Sequence, residues 1–139
     1  RVGHNVVIAN NVPLGGHVTI EDSVVIGGNS AVQQFTRIGR LAMIGGMTGV
    51  LKDVIPFGLS FGNRNYLQGI NLVGLRRKKY ENKKIMELND AYSKIFSSNN
   101  LQENLSKING EYKENELIKE VINFIEKDKK RPICTPLSK

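Results

Sequence analysis

Every sixth residue from Val2 is aliphatic: Val2, Ile8, Leu14, Ile20, Ile26, Val32, Ile38, Ile44 and Val50. About a quarter of positions are aliphatic in an ordinary protein, so nine in one register is a repeat and not a coincidence. The next position is Gly or Ala in six of the nine cases, at Gly3, Ala9, Gly15, Gly27, Gly39 and Gly45. An ordinary sheet explains period 2 but does not impose period 6. The pattern predicts a solenoid coil with three flat sides, each a short strand, and a tight turn at each corner. The aliphatic side chain points into a narrow interior, where branched residues pack well on a pleated surface. The small residue after it is expected because the interior has little room. Corners need backbone angles that Gly and Asn accept most easily. His4-Asn5, Asn10-Asn11, Gly16-His17, Asp22-Ser23 and Gly28-Asn29 fit that need, while Gln34-Phe35 and Arg40-Leu41 fit it less well. Nine hexads make three coils of 18 residues, stacked about 4.8 Å apart through parallel pairing.

The register ends at Ile55-Pro56-Phe57-Gly58, where proline and glycine punctuate the chain. The sequence therefore divides into coils over 1–55, a connecting loop over 56–66 and a helical domain over 67–139. A short helix is expected near 67–79. A longer amphipathic helix covers about 81–97, where Ile85, Leu88, Ala91 or Tyr92, Ile95 and Phe96 recur at helical spacing. Asn100 with Glu103 forms a capping box for a helix near 101–109, and a last helix spans about 115–128. The tail after Lys127 reads as basic and irregular. These apolar stripes are helix-bundle core and need no cofactor to explain them. The fold class is mainly β plus α. The repeat is already running at Val2, and solenoids carry a polar cap at each end, so further coils are expected before Arg1.

The net charge of +7 changes the picture only through its placement. Residues 1–55 hold four basic side chains (Arg1, Arg37, Arg40, Lys52) and three acidic ones (Glu21, Asp22, Asp53). The excess thus sits on the helical half, where a basic face suits an acidic protein, phosphates or nucleic acid. No apolar run approaches the roughly 20 residues that cross a bilayer. A single cysteine, Cys134, cannot form an internal disulfide, which fits a reducing cytoplasm.

Two histidines, His4 and His17, are too few for a three-histidine metal site, and no cysteine or carboxylate cluster replaces them. No metal and no cofactor is expected. No Ser-His-Asp arrangement and no Gly-rich phosphate loop is legible. His17 follows Gly15-Gly16 at a corner, and Gln33-Gln34 lies at another, where amides bind a sugar or cap backbone groups. Arg76-Arg77-Lys78-Lys79 reads equally as a phosphate or acidic-partner site and as a solvated face.

Several segments together carry a family resemblance. They are Ile8-Ala9-Asn10-Asn11, Leu14-Gly15-Gly16-His17-Val18, Ile26-Gly27-Gly28-Asn29-Ser30-Ala31-Val32-Gln33-Gln34-Phe35, Ile44-Gly45-Gly46-Met47, Gly62-Asn63-Arg64 and Gly69 through Arg77. The set closely resembles the acyl-carrier-protein–UDP-N-acetylglucosamine O-acyltransferases of lipid A biosynthesis, over nearly the whole chain. The resemblance implies a left-handed parallel β-helix followed by a helical domain, in a cytoplasmic homotrimer with sites between neighbouring subunits. It implies transfer of a 3-hydroxyacyl chain from acyl carrier protein to the sugar 3-hydroxyl of UDP-N-acetylglucosamine. In that family a histidine is the general base. Its motif ends just before Arg1, so no catalytic residue is expected within these 139 residues, which alone should be inactive. His4 falls in the turn that follows that motif.

By the same resemblance, Gly16 and His17 match a substrate-contacting corner, and Gln34 matches a glutamine near the nucleotide. Gln33 stands where well-studied members have histidine. Gly46 matches the position that limits acyl length. Asn71 matches a uridine contact, Val73 replaces a glutamate that helps hold the nucleotide, and Arg77 keeps an arginine. Lys78 replaces a second arginine, keeping charge but losing the bidentate fork. Arg76 and Lys79 are expected to dock the acidic carrier protein. The sister N-acyltransferase of the pathway is the nearest alternative, and the Asn71–Arg77 segment argues against it. A non-catalytic β-helix scaffold would need no nucleotide contacts. A nucleic-acid binder is the weakest alternative, since only Tyr66 and Tyr80 flank the basic run.

Overall fold

The computed structural model describes residues 1–112 and 114–137. Lys113 lies outside the described residues, as do Ser138 and Lys139 at the end of the expected helical domain. The first half winds through seven two-residue strands: β1 (Val7–Ile8), β2 (Thr19–Ile20), β3 (Val25–Ile26), β4 (Ala31–Val32), β5 (Arg37–Ile38), β6 (Met43–Ile44) and β7 (Gly49–Val50). Each pairs in parallel with a strand one coil away: Val7 with Val25, Val25 with Met43, Thr19 with Arg37, and Ala31 with Gly49. The ladders form three separate sides, β1-β3-β6, β2-β5 and β4-β7.

Ile20, Ile26, Ile38, Ile44 and Val50 are 0% exposed, as the hexad pattern requires. Val2, Ile8 and Leu14 line the open end of the coil and remain 50%, 37% and 38% exposed. The small residue that follows each aliphatic one has a different cause from the one expected. A Cβ at Gly15 would collide with the backbone of Gln34, and one at Gly27 with the backbone of Gly46. The constraint is the close approach of the next coil, not a cramped interior.

The corners take left-handed backbone every six residues, including Phe35 (φ 66°) and Leu41 (φ 58°). Such angles cost a residue with a Cβ about 1–2 kcal/mol. Here the N–H of Phe35 donates to the Gly16 carbonyl at 2.9 Å and that of Leu41 to the Asp22 carbonyl at 3.0 Å. Inter-coil hydrogen bonds therefore override the local preference that made these two corners look unsuited.

The expected loop over 56–66 is not a loop. After Pro56 and Phe57 the chain enters β8 (Gly58–Phe61), which extends the first ladder beyond β6 in parallel, and returns as β9 (Tyr66–Ile70), antiparallel to β8. The buried Asn65 anchors this hairpin: its side-chain oxygen accepts from the N–H groups of Leu51 and Lys52, and its amide donates to the Lys52 carbonyl. The expected short helix over 67–79 accordingly shrinks to α1 (Leu72–Arg77).

Three longer helices follow, α2 (Asn82–Ile95), α3 (Leu101–Glu111) and α4 (Glu116–Lys127). They bury Ile85, Leu88, Ala91, Leu105, Ile108, Leu117, Val121 and Ile122 against one another. Asn100 caps α3 by accepting from Glu103 N–H at 3.1 Å, while its amide donates to the Glu103 carboxylate at 3.0 Å. The described part of the tail is irregular apart from two isolated bridges. Ile133 bridges to Asp53 and Pro136 to Leu67, and Cys134 is fully buried beneath them.

Two arginines on the β2-β5 side fasten α4 to the coil. Arg37 bonds Asp53 through Nε at 2.9 Å, donates to the carbonyls of Phe124 and Asp128 at the end of α4, and lies over the Phe124 ring. A cation suits that helix end, where unpaired carbonyls concentrate negative charge. Arg40 grips the Glu120 carboxylate with Nε and Nη2, both at 3.0 Å, and reaches the Tyr80 hydroxyl at 2.9 Å.

Candidate functional site

The corner between the β2-β5 and β4-β7 sides holds three of the sequence candidates, Gly16, His17 and Gln34. Gly16-His17 occupies it in one coil and Gln34-Phe35 in the next. The His17 and Phe35 rings are parallel, with centroids 5.0 Å apart and planes 4° from coincidence. Gly16, His17, Gln33 and Gln34 are all exposed. The stacked rings and the inter-coil bond from Phe35 to Gly16 hold this ridge still. An imidazole and two amides on a rigid ridge supply both donors and acceptors, which suits hydroxyl, acetamide or phosphate oxygens.

Gly46 lies on a different corner, between the β3-β6 and β4-β7 sides, above Gly28. Its φ is not in the left-handed region. A Cβ there would meet the Gly28 carbonyl oxygen at 3.4 Å, an ordinary contact. Neither torsion nor crowding therefore requires glycine at position 46.

Asn71 sits by the third corner and is only 9% exposed. Its amide donates to the Leu41 carbonyl at 2.9 Å, and its oxygen caps α1 by accepting from Gly74 N–H at 3.1 Å. One amide hydrogen and one lone pair remain for any ligand. Arg76, Arg77, Lys78 and Lys79 are exposed at the C-terminal end of α1, where positive charge complements the helix dipole. Val73 is 59% exposed on the first turn.

The candidates thus fall on three corners: Gly16, His17 and Gln34 on one, Gly46 on another, and Asn71 through Lys79 by the third. One cleft of about 640 Å³ lies between the β2-β5 side and α4, lined by Glu21, Arg37, Arg40, Glu120 and Lys127 among others, and it contains none of them. Arg37 and Arg40 within it are already paired, with Asp53 and Glu120. Burial, and then the nearby Glu120, raises the pKa of Glu21 above the ordinary carboxylate range. The cleft is a seam between coil and helices. Among the described residues no three His, Cys, Asp or Glu side chains converge on a metal position. No helix of the described residues is long and apolar enough to cross a membrane.

Arg131 is the residue that sequence reasoning missed. Its Nη2 donates to the side-chain oxygen of Gln33 at 3.1 Å, across 98 positions of chain. No local signal marks a contact of that range.

Residues 53–134 match the family model described as UDP-N-acetylglucosamine O-acyltransferase, domain 2. Over 137 residues, 98% of this chain, it is 39% identical to the acyl-[acyl-carrier-protein]–UDP-N-acetylglucosamine O-acyltransferase of Sinorhizobium fredii, covering 51% of that protein. Identity to the enzyme of the same name from Rhizobium etli is 43%, covering 50% of it. The UDP-N-acetylglucosamine acyltransferase structure from Arabidopsis superposes with a TM-score of 0.89 at 32% identity, covering 96% of this chain and 50% of that one. The LpxA structure from Acinetobacter baumannii gives 0.89 at 35% identity, covering 95% and 52%. The chain spans about half the length of the curated relatives it matches.

Proposed function

Because the chain belongs to the UDP-N-acetylglucosamine O-acyltransferase family, we propose that its protein transfers a 3-hydroxyacyl chain from acyl carrier protein to the 3-hydroxyl of UDP-N-acetylglucosamine, the first step of lipid A biosynthesis. The observation that carries this reading is the rigid His17–Phe35 ridge with Gly16 and Gln34 exposed beside it. It offers hydrogen-bonding groups where the family resemblance puts the sugar nucleotide.

In this reading the three-sided coil over 1–55 is a left-handed parallel β-helix, the segment over 56–66 joins it to the rest, and 67–139 forms the helical domain. The protein works as a cytoplasmic homotrimer. The β1-β3-β6 side supports an assembly of this kind: Val7, Val25, Met43 and Leu59 follow one another up its ladder. Residues 6–10, 24–28, 42–46 and 58–62 contain no charged side chain. Interfaces between copies favour such apolar, uncharged centres.

Separation of the candidates onto three corners fits sites completed by a neighbouring copy. One copy supplies Gly16, His17 and Gln34; its neighbour supplies Asn71, Arg77 and Lys78. Gly46 lies along the acyl chain, and Arg76 and Lys79 meet the acidic carrier. The buried thiol of Cys134 has no part in the chemistry. The test supplies 3-hydroxyacyl carrier protein to the protein expressed from its complete coding sequence. UDP-N-acetylglucosamine should yield an ester at the 3-hydroxyl. Transfer only to a glucosamine amine would assign it instead to N-acylation.

A further inference from the structure

Arg131 fastens the tail to the candidate corner with an unusual division of its donors. Nη2 serves three oxygens: the Gln33 side chain at 3.1 Å, the Leu51 carbonyl at 3.0 Å and the Thr36 hydroxyl at 3.5 Å. Nε lies 3.9 Å from the Asp53 carboxylate, which is 1% exposed, and has no hydrogen-bond partner. Asp53 in turn receives both the backbone N–H and the Nε of Arg37. The guanidinium is thus held by a buried carboxylate that is itself held, and the tail is pinned beside it by the Cys134 N–H, which donates to the Asp53 carbonyl at 2.8 Å.

The consequence falls on Gln33. Arginine carries donors and no acceptor, so the amide oxygen of Gln33 must face it and the amide nitrogen must lie on the other edge. Among the described residues that nitrogen donates to no protein group, and Gln33 is exposed on the same corner as Gly16, His17 and Gln34. Without Arg131 the amide would turn freely and present oxygen as often as nitrogen.

We propose that Arg131 is a positioning residue for the sugar-nucleotide site: it takes up the Gln33 oxygen, so that the Gln33 NH2 is presented as a hydrogen-bond donor to an acceptor oxygen of the nucleotide sugar. This rests on the assignment of the Gly16–Gln34 corner to UDP-N-acetylglucosamine. A pre-oriented donor binds more tightly because less side-chain freedom is lost on binding.

The experiment measures KM for UDP-N-acetylglucosamine, kcat and Tm on the protein expressed from its complete coding sequence. Arg131→Met should raise KM about five- to tenfold with kcat within about twofold, a pure binding loss. Arg131→Lys keeps one donor for the Gln33 oxygen and should recover most of it. Gln33→Glu is the discriminating variant. Its carboxylate strengthens the bond to Arg131, so Tm should hold, yet the outward donor is gone and KM should rise about tenfold or more. If Arg131→Met lowers Tm and leaves KM alone, Arg131 only ties down the tail and the proposal is overturned. Unchanged KM in Gln33→Glu overturns it too, even if Arg131→Met fails to fold. A wild type that saturates with no UDP-N-acetylglucosamine sinks the functional assignment and this proposal with it, whereas an active wild type with indifferent variants sinks this proposal alone.

Discussion

Asp53 is a buried charge outside the candidate corners. It is 1% exposed and accepts the Arg37 backbone N–H and the Arg37 Nε, both at 2.9 Å. Asp53→Ala removes two hydrogen bonds to a charged acceptor, each worth about 1.5–3 kcal/mol. It also leaves the Arg37 guanidinium, 14% exposed, without its counter-charge. Breaking a buried pair by removing one partner costs about 3–5 kcal/mol, and the two estimates overlap because they describe one interaction. Against a total stability of about 5–15 kcal/mol for a typical domain, that is a large fraction. Asp53→Asn keeps an acceptor for the Arg37 N–H and should cost about half as much. The assay is urea unfolding followed by circular dichroism, with Arg37→Met completing a double-mutant cycle. The Phe124 and Asp128 carbonyl bonds that Arg37→Met also removes cancel in the cycle, and the direct Arg37–Asp53 pair should show coupling of at least about 1 kcal/mol. A loss below about 1 kcal/mol for Asp53→Ala, or simple additivity with Arg37→Met, would refute the reasoning.

Glu21 titrates above the ordinary carboxylate range because it is half-buried and faces Glu120. A raised folded pKa favours the protonated form, so its contribution is intact at acid pH and is lost as pH rises through the folded pKa. Glu21→Gln should therefore stabilise the protein at neutral pH and lose that advantage below about pH 4; a gain independent of pH would contradict the assignment. Burial pushes the Cys134 thiol up to about 11, so a disulfide reagent should label it at least about 10³-fold faster in urea than in the native state. Equal rates would mean that the tail does not cover it. Gly46→Met should fold, since the backbone there is ordinary, and should shift preference toward shorter acyl chains. Each excluded methylene is worth about 0.8 kcal/mol, or roughly fourfold in kcat/KM. An unchanged optimum would remove Gly46 from the acyl path.

The periodic parts of this fold are legible in the sequence because each coil repeats one physical solution. An aliphatic residue every sixth position gave the strands, and apolar spacing gave α2, α3 and α4 to within about three residues. The β8–β9 hairpin was not legible, because Pro56, Gly58 and Gly62 read as punctuation although Gly58–Phe61 adds a rung above β6. The tail strap was hidden for another reason. Its two bridges, at Ile133 and Pro136, are single-residue contacts with partners far away in the chain. Phe35 and Leu41 show tertiary hydrogen bonds overruling local preference.

At the candidate site, the shared corner of His17 and Gln34 follows from an eighteen-residue coil. The inward turn of the Asn71 side chain and the grip of Arg131 on Gln33 depend on packing between halves, and no window of sequence contains it.

The most direct test of a site shared between copies is complementation. Gln34→Ala and Arg77→Ala variants, each expressed from the complete coding sequence, are made singly and then co-expressed in equal amounts. O-acylation of UDP-N-acetylglucosamine is measured per mole of protein. If each site takes Gln34 from one copy and Arg77 from its neighbour, random mixing leaves about a quarter of sites with both residues intact. The account expects activity near a quarter of wild type, well above either variant alone. Activity no higher than the parents would mean that one copy supplies both residues, and would contradict it.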